Sequence, residues 1–207
     1  ETAESDEMPA ILIQDRLFYQ AVPAGTEIAP FIDALEMTAS ESAQIDKSIS
    51  KQLANIDLPT HMVLYVAAQC TYCPQAVRQL VPLVQANQNI RLTIIDAMFF
   101  QDMAQKENVQ SVPTLILEGQ FRWTGTLALN EVLKVMAERD PSALGPISLE
   151  AMLKEGKAGQ LADMMIEKSQ IFPAFYALLT HPKWPARLGA MVVMDELIDR
   201  NPDLALQ

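Results

Sequence analysis

Glycine is scarce in this chain, with 7 residues in 207 where ordinary usage of about 7% would give roughly 14. Phosphate cradles are built from clustered glycines, and neither G-x-G-x-x-G nor G-x-x-x-x-G-K-[ST] occurs. Neither a dinucleotide-binding unit nor a P-loop is therefore supported. His61 and His181 lie far apart, and Cys70 and Cys73 are the only cysteines. A four-ligand structural zinc site within the chain lacks donors, and no metal or cofactor is expected. Basic side chains are outnumbered 15 to 26, for a net charge of −11. Such a field repels phosphates and argues against nucleic acid and anionic membranes as partners. No run approaches the roughly 18 apolar residues that cross a bilayer.

The length fits one domain or two, enough for a substantial core. Acidity is concentrated at the start: residues 1–60 carry 3 basic and 11 acidic side chains, a balance of −8. The chain opens Glu1-Thr2-Ala3 without an initiator Met, which reads as trimming or processing, so the missing signal peptide says little.

The clearest segment runs from Met62 to about Arg139. Met62–Ala67 is a continuous run of β-formers, suited to a strand buried on both faces. A break at Gln69–Pro74 follows, and then Val77, Leu80, Val81 and Val84 recur at i, i+3, i+4, i+7, which predicts a helix kinked near Pro82. Arg91–Asp96 predicts a second buried strand and Gln101–Glu107 a short helix. Thr114–Glu118, Gly119-Gln120 and Phe121–Thr124 predict a strand, tight turn and strand, closed by a helix from about Leu129. The order is β-α-β-α-β-β-α. With Cys70-Thr71-Tyr72-Cys73-Pro74 between the first strand and helix, and Val112-Pro113-Thr114 before the third strand, it resembles the thioredoxin fold.

Upstream lies a repeat. A shift of 104 lays Met8–Ile13 on Val112–Leu117 and, without a gap, Leu17 on Phe121, Tyr19 on Trp123, Glu27 on Glu131 and Ile28 on Val132. Residues 8–38 thus read as the β-β-α second half of another such unit, and Ser42–Asn55 as a connecting helix. A lone hairpin and helix cannot bury both faces, so the half-unit is expected to dock on the complete one, or its missing half to have been cut away. The expected organisation is α/β: a partial thioredoxin-like unit at 1–57, a complete one with C-x-x-C at 58–140, and an all-α extension at 141–207. Within that extension Pro173–Arg200 resembles a HEAT-type hairpin, a helix, a Pro-containing turn and a second helix with Ala186 and Arg187 early in it. One hairpin cannot form a solenoid, which needs about three units.

Two consecutive thioredoxin-like units with a dithiol only in the second resemble the N-terminal domain of the flavoprotein subunit of alkyl hydroperoxide reductase. The resemblance covers roughly residues 8–138 and includes Gly25-Thr26-Glu27, the C-x-x-C-P turn, Ile95-Asp96-Ala97, Phe100-Gln101 and Val112-Pro113. In that family the domain relays electrons from a flavin module to a peroxidase. No flavin or nucleotide fingerprint follows residue 140 here, so the resemblance implies an electron source in another protein, or a different role.

Cys70 is the candidate nucleophile. At the first turn of a helix starting near Cys73, its thiolate faces unpaired N–H groups and the positive end of the dipole. Cys73, one turn on, would resolve the mixed disulfide; the bland alternative is a pair of inert thiols or half a metal site. Pro113 is expected to be cis, as in thioredoxin-like folds, presenting Val112 to an extended substrate beside Thr71 and Tyr72. The resemblance also implies that Glu27 faces the dithiol and serves as a base for Cys73. Against this, Glu27 suits a helix N-terminus, and its repeat equivalent Glu131 has no dithiol to serve.

Two functions compete. One is a thiol–disulfide oxidoreductase exchanging Cys70/Cys73 with disulfides of a protein substrate or reductase partner, within peroxide defence or protein-disulfide reduction. The other is a redox-sensitive interaction module whose helical tail binds partners. Self-association is open to either. Spending both cysteines on one motif favours the first and fits a cytoplasmic setting, with the periplasm left open.

Overall fold

The computed structural model describes residues 10–39 and 45–206. Part of the expected connecting helix and the first residues of the repeat lie outside them. The described residues form two compact units, one within Glu1–Asp57, Met62–Leu117 and Phe121–Ala137, the other within Leu58–His61, Glu118–Gln120 and Glu138–Gln207.

The first unit is built on a mixed sheet of six strands: β1 (Ile11–Ile13), β2 (Leu17–Gln20), β3 (Thr60–Val66), β4 (Ile90–Asp96), β5 (Thr114–Leu117) and β6 (Phe121–Thr124), in the spatial order β1-β2-β4-β3-β5-β6. Its helices are α1 (Ile28–Ala39), α2 (Lys47–Leu53), α3 (Cys73–Ala86), α4 (Gln101–Lys106) and α5 (Leu129–Glu138). The apolar stripe of α3 buries Val77, Leu80, Val81 and Val84 in one core with Met62, Leu64, Leu92 and Ile94. Removing these aliphatic surfaces from water is the main force holding helix to sheet. Pro82 sits inside α3, which continues to Ala86.

The upstream repeat is visible in the backbone. β1 pairs antiparallel with β2 as Ile11↔Tyr19, Leu12↔Phe18 and Ile13↔Leu17. β5 pairs with β6 as Leu115↔Trp123, Ile116↔Arg122 and Leu117↔Phe121, every partner displaced by the same 104 positions. The turns agree as well: Gln14 and Asp15 have φ of 51° and 57°, and Glu118 and Gly119 have 54° and 73°. Two consecutive residues with positive φ form the turn whose twist matches a hairpin. The upstream hairpin joins the sheet, with β2 parallel to β4 from Leu17↔Leu92 to Gln20↔Ile95. Docking thus takes the form of strand addition, which satisfies an edge of backbone groups and buries Ile13, Leu17 and Tyr19.

The second unit is helical: α6 (Pro146–Lys154), α7 (Ala158–Lys168), α8 (Phe175–Leu179), α9 (Trp184–Arg200) and α10 (Pro202–Ala205). Its core gathers Leu149, Met152, Leu161, Met165, Phe172, Phe175, Val193 and Leu197. Met152 and Met165 are thus core residues. Glu118 is buried here against Arg139 (3.6 Å). It accepts hydrogen bonds from the Gly145 N–H (2.7 Å), the Ser148 hydroxyl (2.8 Å) and the His61 N–H (2.8 Å). A buried carboxylate survives only when its lone pairs are filled in this way.

Candidate active site

The dithiol lies where β3 ends and α3 begins. Cys73 is the first residue of α3 and is fully buried, while Cys70 is half-buried in the preceding turn. The Cys73 N–H donates to Cys70 Sγ at 3.1 Å, and Cys70 Sγ donates to the Val112 carbonyl at 3.6 Å. An N–H at a helix start has no intrahelical acceptor, and here it meets the sulfur instead. The Val112–Pro113 bond is cis. Burial is the main cause that pushes the Cys73 thiol well above the ordinary thiol range, followed by its hydrogen bond with Cys70, with the Glu27 charge adding to it. No group of three or more His, Cys, Asp or Glu among the described residues could hold a metal ion.

The upstream half-unit holds the dithiol loop. The Thr26 N–H donates to the Ala68 carbonyl at 2.9 Å. Its hydroxyl reaches the carbonyls of Ala68 (3.0 Å) and Cys70 (2.9 Å). Gly25 makes this approach feasible, since its φ is +57° and a Cβ there would stand 2.4 Å from Ala68 O. Only glycine combines that backbone with that proximity. The Gly25-Thr26 turn therefore holds the backbone on either side of Cys70.

Glu27 is fully buried and accepts a hydrogen bond on Oε2 from the Tyr19 hydroxyl at 3.1 Å, while Oε1 is buried with no hydrogen-bond partner. Burial raises its carboxyl above the usual range, opposed by the Tyr19 bond. Tyr19, which packs edge-on against Phe31 with ring centroids 4.9 Å apart, is itself pushed up by burial and then by Glu27. Its repeat equivalent Glu131, by contrast, is exposed in the first turn of α5. One residue is thus an exposed helix-terminal acid and the other a buried carboxyl beside a dithiol, a distinction that self-similarity leaves undecided.

Near the dithiol aromatic side chains reach the surface among polar ones. Tyr72 is 65% exposed, and Thr71 is exposed beside it. The Ala97 N–H donates to the Val66 carbonyl at 2.9 Å, which sets the turn after β4 next to the dithiol loop. Buried Asp96 shapes that turn by accepting from the N–H groups of Met98 (2.8 Å) and Phe99 (3.2 Å). Phe99 is left 71% exposed. Thr26, Tyr19 and Asp96 are site residues whose roles the sequence pattern does not single out. The signals available were the G-x-E and I-D-A strings, which name the positions without their partners.

Residues 61–137 match the thioredoxin domain family model. Among curated proteins the chain is 27% identical over 117 residues to an alkyl hydroperoxide reductase protein of Pseudomonas aeruginosa, covering 56% of this chain and 22% of that one. It is also 27% identical over 118 residues to a Bacillus subtilis protein described as NADH dehydrogenase, covering 57% and 23%. The chain thus spans about a quarter of the length of the curated relatives it matches. Among solved structures, the NTD_N/C domain of alkylhydroperoxide reductase from Enterococcus faecalis superposes with a TM-score of 0.53 at 20% identity, over 58% of each chain. A protein disulfide oxidoreductase from Aeropyrum pernix gives 0.56 at 20% identity, over 64% of this chain and 60% of that one. These likenesses establish the fold. Residues 61–137 of this chain match the thioredoxin domain family and have a thioredoxin-like fold, with Cys70 and Cys73 where α3 begins.

Proposed function

We propose that this protein is a thiol–disulfide oxidoreductase that uses Cys70 and Cys73 to reduce disulfides of a protein partner. The observation that carries the proposal is the Cys73 N–H donating to half-exposed Cys70 Sγ at 3.1 Å, with the Val112 carbonyl at 3.6 Å. A half-exposed sulfur with a helix-start N–H aimed at it is reachable by a substrate disulfide, while burial keeps Cys73 as a thiol until it is needed.

The Cys70 thiolate attacks one sulfur of the partner's disulfide and expels the other, which leaves as a thiol after taking a proton. A mixed disulfide remains. Cys73 then loses its proton and attacks Cys70 Sγ, which forms the Cys70–Cys73 disulfide and releases the partner's second thiol. Two electrons and two protons pass to the partner. Glu27 is the base we assign to Cys73, since Oε1 is buried without a partner and the carboxyl is poised high by burial. Val112 and Pro113 with Thr71 and Tyr72 form the substrate seat. There an extended segment pairs with backbone, and its apolar residues meet Tyr72 and Phe99.

The likeness to alkyl hydroperoxide reductase supports a place in peroxide reduction, with a separate reductase returning electrons to the disulfide. The shared register of the two hairpins supports reading residues 1–57 as a partial unit beside a complete one at 58–140, with 141–207 an appended helical segment. Two cysteines, both in the dithiol, fit a reducing cytoplasm.

The test is reduction of insulin by the full chain, monitored alongside trapping. Cys70→Ser is expected to abolish turnover, and Cys73→Ser to accumulate a mixed disulfide through Cys70. Turnover by Cys70→Ser at the rate of the unsubstituted protein would refute the assignment.

A further inference from the structure

Helix α9 is apolar on two faces. One face, with Ala186, Ala190, Val193 and Leu197, is fully buried within the helical unit. The other carries Trp184, Leu188, Met191, Val192 and Ile198, each between 44% and 58% exposed. At 100° per residue Trp184, Met191 and Ile198 fall within about 40° of one another, with Leu188 beside them, so they form a stripe about 21 Å long. Scattered apolar residues on a surface need no explanation, but a row of large apolar side chains along one helix, opposite its buried face and flanked by charges, is a surface suited to a partner.

The charges along α9 say what would cover it. Lys183 precedes the helix and Arg187 lies in its first turn, while Asp195, Glu196 and Asp199 lie toward its end. That arrangement opposes the helix dipole, which favours acids at the start and bases at the end. Arg200 is the exception and pairs with Asp163 and Glu196, while Arg187 lies over the Trp184 ring and donates to the His181 and Pro182 carbonyls, contacts that hold its side chain without cancelling its charge. An isolated helix is therefore disfavoured by its own charges, whereas two copies laid antiparallel bring the basic start of each beside the acidic end of the other. Centred on Met191, the arithmetic is symmetric: Arg187 and Asp195 stand four residues to either side, and Trp184 and Ile198 seven. Trp184 of one copy then meets Ile198 of the other, Arg187 comes level with Asp195, and Met191 meets itself. Parallel pairing sets like charge on like. The contact is isologous and closes after two chains.

We propose that the exposed face of α9 is a self-association surface, at which two copies of this chain pair antiparallel about a two-fold axis passing near Met191. The proposal is independent of the redox assignment, because nothing in it involves the dithiol.

Sedimentation of the full chain across a concentration series is the test. A reversible monomer–dimer equilibrium is expected. Met191→Glu sets two carboxylates against each other at the axis and is expected to leave only monomer, with helix content by circular dichroism unchanged. Asp195→Arg faces Arg187 of the other copy and is expected to weaken the dimer about tenfold. Independently, Met191→Cys in a Cys70→Ser, Cys73→Ser background is expected to cross-link to a covalent dimer under mild oxidation, and Tyr176→Cys, on a different helix, is not. A chain that stays monomeric throughout the series overturns the proposal. So does a dimer that Met191→Glu leaves intact, or equal cross-linking through positions 191 and 176.

Discussion

Replacing Thr26 with valine keeps the shape of the side chain and removes one hydroxyl. That hydroxyl stands 3.0 Å from the Ala68 carbonyl and 2.9 Å from the Cys70 carbonyl. One O–H proton donates to one acceptor at a time or is shared, so the two distances are not two full bonds. A single shared bond contributes about 0.5–1.5 kcal/mol net, and the carbonyl left behind is only partly buried, so water offsets some of its loss. The cost to the loop is then about 1 kcal/mol, which makes local opening about 5-fold more frequent. Global unfolding of a two-unit chain would blur so local an effect. Hydrogen exchange at the Thr26 and Cys70 amides reads it directly, since these donate to the Ala68 and Ala67 carbonyls at 2.9 Å. Both amides are expected to exchange faster by that factor in Thr26→Val, while Thr26→Ser, which keeps the hydroxyl, stays within about threefold of the original. Unchanged exchange in the valine variant would refute the reasoning, as would a serine variant that exchanges as fast as the valine one.

Three further outcomes are expected. Glu27→Gln removes the base assigned to Cys73 and should slow release of the mixed disulfide about 100-fold at neutral pH, measured by rapid quench. The same substitution should stabilise the fold as pH rises. Burial lifts the carboxyl above its unfolded value of about 4.3. The unsubstituted protein therefore loses stability relative to the glutamine variant as pH climbs from that value through the folded one. Urea midpoints that keep a constant gap over this range would count against it. Glu118→Ala leaves the Gly145 and His61 N–H groups, the Ser148 hydroxyl and Arg139 without their shared carboxylate. A loss of about 3–5 kcal/mol is expected in chemical unfolding of the helical unit, and a loss below about 1 kcal/mol would show that the network is dispensable.

Periodicity made most of the first unit legible. The strand at Met62 extends back to Thr60, and the following strand begins at Ile90. The short helix ends at Lys106 in place of Glu107. These are end effects of one or two residues, set by hydrogen-bond ladders that neighbouring strands complete. In the helical unit the second helix of the expected hairpin likewise begins a little earlier, because α9 runs unbroken from Trp184 to Arg200. Pro185 reads as part of a turn, yet it sits in the first turn of α9, where a missing N–H costs nothing. The dipeptide Gly25-Thr26 shows the other limit. Its string is visible in the sequence, but its acceptors, at Ala68 and Cys70, are more than 40 residues away.

The sequence alone determined the element order, the dithiol at a helix start, the proline before β5 and the repeat at an offset of 104, because each is written in local spacing or in self-similarity. Tertiary structure decided what the repeat is for. Strand pairing carried the upstream hairpin onto β4, and with it came Thr26 onto the dithiol loop and Glu27 into the core beside Cys73. Glu27 and Glu131 hold the same place in the repeat, and only burial against Tyr19 sets one of them apart. The physical reason is that burial and charge coupling are properties of neighbours in space, which a one-dimensional pattern does not contain.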